Sequence, residues 1–180
     1  RPFMIYFHLS RHVHVNDVLI RNAPYYHVVF DDCEYVSMLD TEIYVDIWGQ
    51  LSLHQLFGSD FEPVEYGKYS LEVPIFPLNT DGIDIWAKNV NIKRVKVTNF
   101  DDAIVPKPSN KWNKIAKCSQ NITVEDSLIT YSIGLAIGSV PPSEGHACIQ
   151  DVTFRNIVME MPLKGIYIKP NPGNVGDGLI

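Results

Sequence analysis

The chain has 180 residues, of which 46% are hydrophobic and 20% charged, a balance that suits a globular domain and excludes a disordered or low-complexity segment. Its net charge of −6 argues against nucleic acid as a partner. No apolar run approaches the roughly 20 residues that span a bilayer, so the sequence offers no membrane segment.

Read from the N-terminus, the chain repeats one offset pattern, apolar residues at i, i+2, i+5 and i+7, which is two short alternating runs separated by one extra residue. It opens with Val13/Val15/Val18/Ile20 and is followed by a β-rich run from His27 to Phe30. The second copy, Val36/Met38/Thr41/Ile43, leads into a segment from Trp48 to Pro77 that interrupts the pattern. This insertion, 48–77, carries Trp48, Phe57, Phe61, Tyr66 and Tyr69, aromatics suited either to walling a sugar cleft or to packing on the fold. The pattern resumes with Ile83 to Trp86, then Val90/Ile92/Val95/Val97 and Ala103 to Val105. A loop with Lys107, Lys111, Lys114 and Lys117 precedes Ile122/Val124/Ser127/Ile129 and Leu135 to Ile137. The last copy, Val152/Phe154/Ile157/Met159, is followed by Ile166 to Ile168.

Three short strands per unit, with no sustained 3.6-residue period, predict an all-β solenoid, a right-handed parallel β-helix, in preference to a sandwich, a barrel or a leucine-rich repeat. The whole chain, 1–180, reads as one partial β-helix domain truncated at both ends, because neither end shows a capping element. In such a stack, residues at one offset in successive coils lie about 4.8 Å apart. Asp81, in Asn79-Thr80-Asp81-Gly82, precedes Ile83, and Asp101-Asp102 precede Ala103 one unit later. The three aspartates are therefore expected at one edge of one sheet. Each alone reads as a turn residue; together they form a candidate general-acid and general-base group, because like charges crowded together raise the pKa of one member.

Four blocks, Asn79-Thr80-Asp81-Gly82, Asp101-Asp102, Gly134-Leu135-Ala136-Ile137-Gly138-Ser139 and Tyr167-Ile168-Lys169, occur in the order of glycoside hydrolase family 28, the polygalacturonases and related pectin hydrolases, which this chain resembles over nearly its whole length. The resemblance implies an inverting hydrolase of galacturonate-containing polysaccharide. Asp101 would protonate the leaving oxygen, while Asp81 and Asp102 hold and deprotonate the water. Inversion in turn implies carboxyl groups roughly 6.5 to 9.5 Å apart. Lys169 would bind the substrate carboxylate, with Tyr167 at the position of the family's arginine. Asn79 and Lys107 complete the expected substrate contacts. Ile133, in Ser132-Ile133-Gly134, stands where many members carry a histidine; rhamnogalacturonan-type members resemble this chain in lacking it. His27 and His146 are candidate replacements, and Ala103 stands at a frequent cysteine position.

Cys118 and Cys148 each precede the first strand of a coil, so stacking can join them, although three cysteines also suit a reduced protein. Asn121-Ile122-Thr123 is a glycosylation sequon. No metal, no cofactor and no protein partner is expected: the reading is a secreted, extracellular monomer acting on an acidic polysaccharide. Two further readings stay open, a catalytically impaired relative that binds acidic glycans and a structural or adhesive β-helix.

Overall fold

The structure is a computed structural model that describes residues 1–46, 64–66, 69–71, 78–110, 112–140 and 147–170, with the backbone alone for 64–66 and 69–71. Trp48, His54, Phe57, Phe61, Lys111 and His146 lie outside the described residues, and so does most of the expected insertion. Within it, β6 (Val64–Tyr66) and β7 (Tyr69–Leu71) pair antiparallel.

The remaining strands stack as successive coils of a right-handed parallel β-helix. The first coil holds β1 (Ile5–His8), β2 (Arg11–Asn16) and β3 (Leu19–Arg21), and the second β4 (Val28–Leu39) and β5 (Glu42–Tyr44). The third is β8 (Ile83–Lys93) and β9 (Lys96–Thr98). The fourth holds β10 (Asp102–Pro106), β11 (Ser109–Asn110) and β12 (Ser119–Thr130), the fifth β13 (Gly134–Val140) and β14 (Ala147–Glu160), and β15 (Ile166–Pro170) opens a sixth. No helix is present among the described residues.

The offset pattern is the register of the stack. Val13, Val36, Val90, Ile122 and Val152 pair one above another, as do Val15, Met38, Ile92, Val124 and Phe154. Most of these side chains are fully buried in one core that runs through the coils. The extra residue between the two alternating runs is a corner. Asp17, Asp40, Arg94, Asp126 and Asn156 fill it in the five coils, all with φ between 50° and 55°. Asp and Asn tolerate this left-handed conformation best among residues with a side chain, and four of the five corners use them. The corner side chains then bond along the axis: Arg94 Nε donates to Asp40 Oδ1 at 2.6 Å, and Asn156 Nδ2 to Asp126 Oδ1 at 3.0 Å.

One sheet positions the candidate site. Its strands are β1, the start of β4, the start of β8, β10, β13 and β15, with Ile5, Val28, Ile83, Ile104, Leu135 and Ile166 in register. Alternation sends Ile83 and Ile85 inward, so Asp84 and Trp86 face away from the core. The turns that enter these strands carry Asp81 and Asp101-Asp102.

Candidate active site

Two turns bring the aspartates together, and the coil-to-coil bonds hold them there. Gly82 N donates to Asp102 O at 2.9 Å, and Asn99 Nδ2 donates to both Thr80 O, at 2.9 Å, and Asp102 O, at 2.8 Å. Gly82 is required at this approach: a Cβ there would lie 2.3 Å from Ala103 O. One carboxylate oxygen from each of Asp81, Asp101 and Asp102 lies within 4.8 Å of the others. This is closer than the spacing expected for an inverting pair. The physical reason is the stack itself, since groups at matched register in adjacent coils can be separated by little more than one strand spacing. Inversion therefore rests on the resemblance alone.

Each aspartate has its own environment. Asp102 is fully buried, and its two carboxylate oxygens accept from the Tyr167 hydroxyl and the Lys169 ammonium. Both donors reach back over the fifth coil, where their strand partners are Ala136 and Gly138, residues small enough to leave the path open. Tyr167 and Lys169, the expected substrate contacts, thus bond a site carboxylate. Asp101 is half-buried and the most exposed of the three. Its oxygens accept the backbone N–H groups of Asn79 and Asp102, both at 2.8 Å. Its carbonyl takes Ser132 Oγ at 2.7 Å and Ile133 N at 2.9 Å. Ile133 therefore supports Asp101 through its backbone, in the coil where the histidine was expected.

Asp81 is 4% exposed, and burial, reinforced by the neighbouring charges of Asp84, Asp101 and Asp102 against the opposing Lys107, pushes its carboxyl up to about 9. Asp84, on the outward face of β8, is a neighbour of the cluster that the sequence analysis did not single out. It is fully buried, and burial pushes it up to about 6 despite Lys107. Lys107 Nζ lies 3.0 Å from Asp84 Oδ1 and pairs with it, while Asp84 Oδ2 has no hydrogen-bond partner among the described residues. Burial would lower Lys107, but pairing with Asp84 raises it. The available signal was the alternation Ile83-Asp84-Ile85, a charge on the outward face of a strand beside Asp81. Asn99 and Ser132 were also missed, because they act through backbone groups that sequence alone does not juxtapose.

The other expected residues fall as follows. Asn79 presents its backbone N–H to Asp101. His27 is buried beneath the site with Nδ1 3.0 Å from Asp81 O, and burial lowers its pKa, so it props the turn. Lys114 and Lys117 are exposed, while the backbone N–H groups of Lys114, Ile115 and Ala116 all donate to Asp32. Cys118 and Cys148 form a disulfide with Cα atoms 4.7 Å apart, and Cys33 is a buried free thiol. Asn121 is exposed and donates its Nδ2 to Asn89 at 2.8 Å. The three clustered carboxylates are also spaced to accept a cation, but the oxygens of Asp101 and Asp102 already accept protein donors, an occupancy that suits proton chemistry better.

A β-helix whose sheet edge carries three converging aspartates is what the family resemblance implied, and comparison with known proteins agrees. Glycosyl hydrolases family 28 matches residues 1–178, and the chain belongs to that family. It is 38% identical over 104 residues to a protein of Aspergillus fumigatus named probable endo-xylogalacturonan hydrolase A, covering 57% of this chain and 23% of that one. It is 29% identical over 162 residues to the probable rhamnogalacturonase A of Aspergillus niger, covering 89% of this chain and 27% of that one. A polygalacturonase of Chamaecyparis obtusa is 26% identical over 177 residues, covering 98% of this chain and 27% of its own length. The chain thus spans about a quarter of the length of these relatives.

Proposed function

We propose that the protein hydrolyses glycosidic bonds in a galacturonate-containing pectic polysaccharide outside the cell, acting as a single chain without metal or cofactor. The observation that carries this reading is the cluster of Asp81, Asp101 and Asp102 within 4.8 Å on the edge of an open sheet. The cluster retains a proton through neutral pH, housed on Asp81 in the substrate-free site. On substrate binding the proton passes from Asp81 to Asp101, the most exposed of the three, which delivers it to the leaving oxygen; the proton taken from the water restores the cluster. Asp81 and Asp102 flank the attacking water, and Asp102, aligned by Tyr167 and Lys169, takes its proton. Asp84 stations Lys107 beside them, where the ammonium can meet a substrate carboxylate.

The test is reducing-end release by the full-length protein from polygalacturonate, rhamnogalacturonan and xylogalacturonan, beside Asp101→Asn. Loss of a positioned acid lowers the rate by about 10²–10⁴-fold, and the preferred polymer fixes the subclass. Proton NMR of the first-formed anomer decides between inversion and retention. A second reading, binding without cleavage, is favoured by Ile133 at the histidine position. Folded protein that is retained by the polymers yet releases no reducing ends would establish it.

A further inference from the structure

The rings of the first two coils form a surface that the catalytic reading leaves unused. Phe3 stacks on Tyr6 at 5.5 Å and on Tyr25 and Tyr26 at 5.4 Å, while Tyr25 and Tyr26 stack at 4.1 Å. Tyr6 continues to His8 at 5.8 Å. Tyr6 lies on the outward face of β1, since Ile5 and Phe7 pack against the core. Phe3 is 40% and Tyr6 49% exposed.

This surface is continuous with the aspartate cluster. Lys107 Nζ, ion-paired with Asp84, lies 5.8 Å from the centre of the Tyr26 ring and 5.7 Å from that of Trp86. Continuing the register back from Ile5, Val28 and Ile83 places Phe3, Tyr26 and Asp81 in one column. At about 4.8 Å per coil, the rings begin about one sugar unit from Asp81 and extend for about one more.

We infer that Phe3, Tyr6, Tyr25 and Tyr26 form a platform on which a neutral pyranose of the pectic chain stacks, one or two units from the bond that is cut; the inference rests on the hydrolase reading. Aromatic rings pack on the C–H face of a sugar, and the exposed rings of Phe3 and Tyr6 offer such a contact beside the acidic cluster. The charges beside the platform select against a uronate. Asp31 Oδ2 accepts Tyr6 Oη at 2.5 Å and lies 2.9 Å from His8 Nδ1, so a carboxylate borders the rings. It accepts sugar hydroxyls and repels a second carboxylate.

The experiment compares the full-length protein with Phe3→Ala and Tyr6→Ala, using Tyr6→Phe as the variant that keeps the ring and thermal unfolding as the check on folding. Two probes are used: short and long rhamnogalacturonan oligosaccharides for turnover, and affinity gels cast with rhamnogalacturonan or polygalacturonate for binding in an Asp101→Asn background. The platform predicts that the ratio of kcat/KM on long over short rhamnogalacturonan oligosaccharides falls by about tenfold in the alanine variants, and that Tyr6→Phe restores most of it. It also predicts reduced retardation in the rhamnogalacturonan gel. An unchanged ratio with unchanged retardation overturns it, and an equal loss in both gels overturns the neutral-sugar assignment. If the full-length protein cuts nothing, yet the alanine variants lose retardation by rhamnogalacturonan, the platform stands and the hydrolase reading falls.

Discussion

Asp81 and Asp84 lie in the same turn-and-strand segment, and their charges govern each other. With its carboxyl pushed up to about 9, Asp81 binds a proton in the folded protein that an unfolded chain releases near its ordinary value of about 4. The folded state therefore holds more protons across that interval, and the contribution of Asp81 to stability falls as pH rises from about 4 to about 9. Asp81→Asn should flatten this slope and raise stability at pH ~8 by about 1 kcal/mol while abolishing turnover, as denaturant titrations at several pH values would read. Asp84→Asn removes a like charge beside Asp81 and should move the alkaline limb of the pH–activity profile to lower pH by about one unit. An unmoved limb would mean that the limb reports another group. Asp84 was legible only as an outward charge in an alternating strand. Its pairing with Lys107, one coil further on, is something local sequence does not specify.

The two aspartate-bearing turns are separate pieces of chain that the side chains of Asn99 and Thr80 tie together. Buried Asn99 donates to Thr80 O and Asp102 O, and Phe100 N donates to Thr80 Oγ1 at 3.3 Å. Asn99→Ala removes the donor that the two carbonyls share, while Gly82 N still reaches Asp102 O, and a cost of about 1 kcal/mol follows. Because the same bonds set the spacing of Asp81 and Asp102, turnover should fall further than stability explains. Measuring activity well below the unfolding temperature separates the two effects. Among the strands, the five apolar copies were readable because each corner residue shifts the alternation by one, and the register follows that shift. Asp101 and Asp102 were readable as a pair for the same reason. The grip of Tyr167 and Lys169 on Asp102 was not, because it spans an intervening coil and depends on the small residues Ala136 and Gly138 beneath it.

Across the whole molecule, each coil packs on its neighbours, and the core is one column of apolar side chains that no single unit can bury. The Cys118–Cys148 disulfide joins the fourth and fifth coils at the start of their long strands, across a sequence separation of 30. Cys118→Ser is expected to lower stability by about 2–4 kcal/mol, read by chemical denaturation under oxidising conditions. An equal effect of reductant on the unmutated protein, with none on the variant, would assign the loss to the bridge. The net charge of −6 is locally offset where the aspartates converge, by Lys107 paired with Asp84 and Lys169 paired with Asp102.

By itself the sequence determined the solenoid, its register and the shared edge of Asp81, Asp101 and Asp102, because a fixed apolar offset repeated along the chain admits one way of stacking. What only the tertiary structure decided were the distances and the partners. The closeness of the carboxylates, the bonds of Tyr167 and Lys169 to Asp102, the ion pair of Asp84 with Lys107 and the ring cluster around Phe3 all arise between coils. Register says which residues share a column, but side-chain reach and burial across neighbouring columns decide which groups meet.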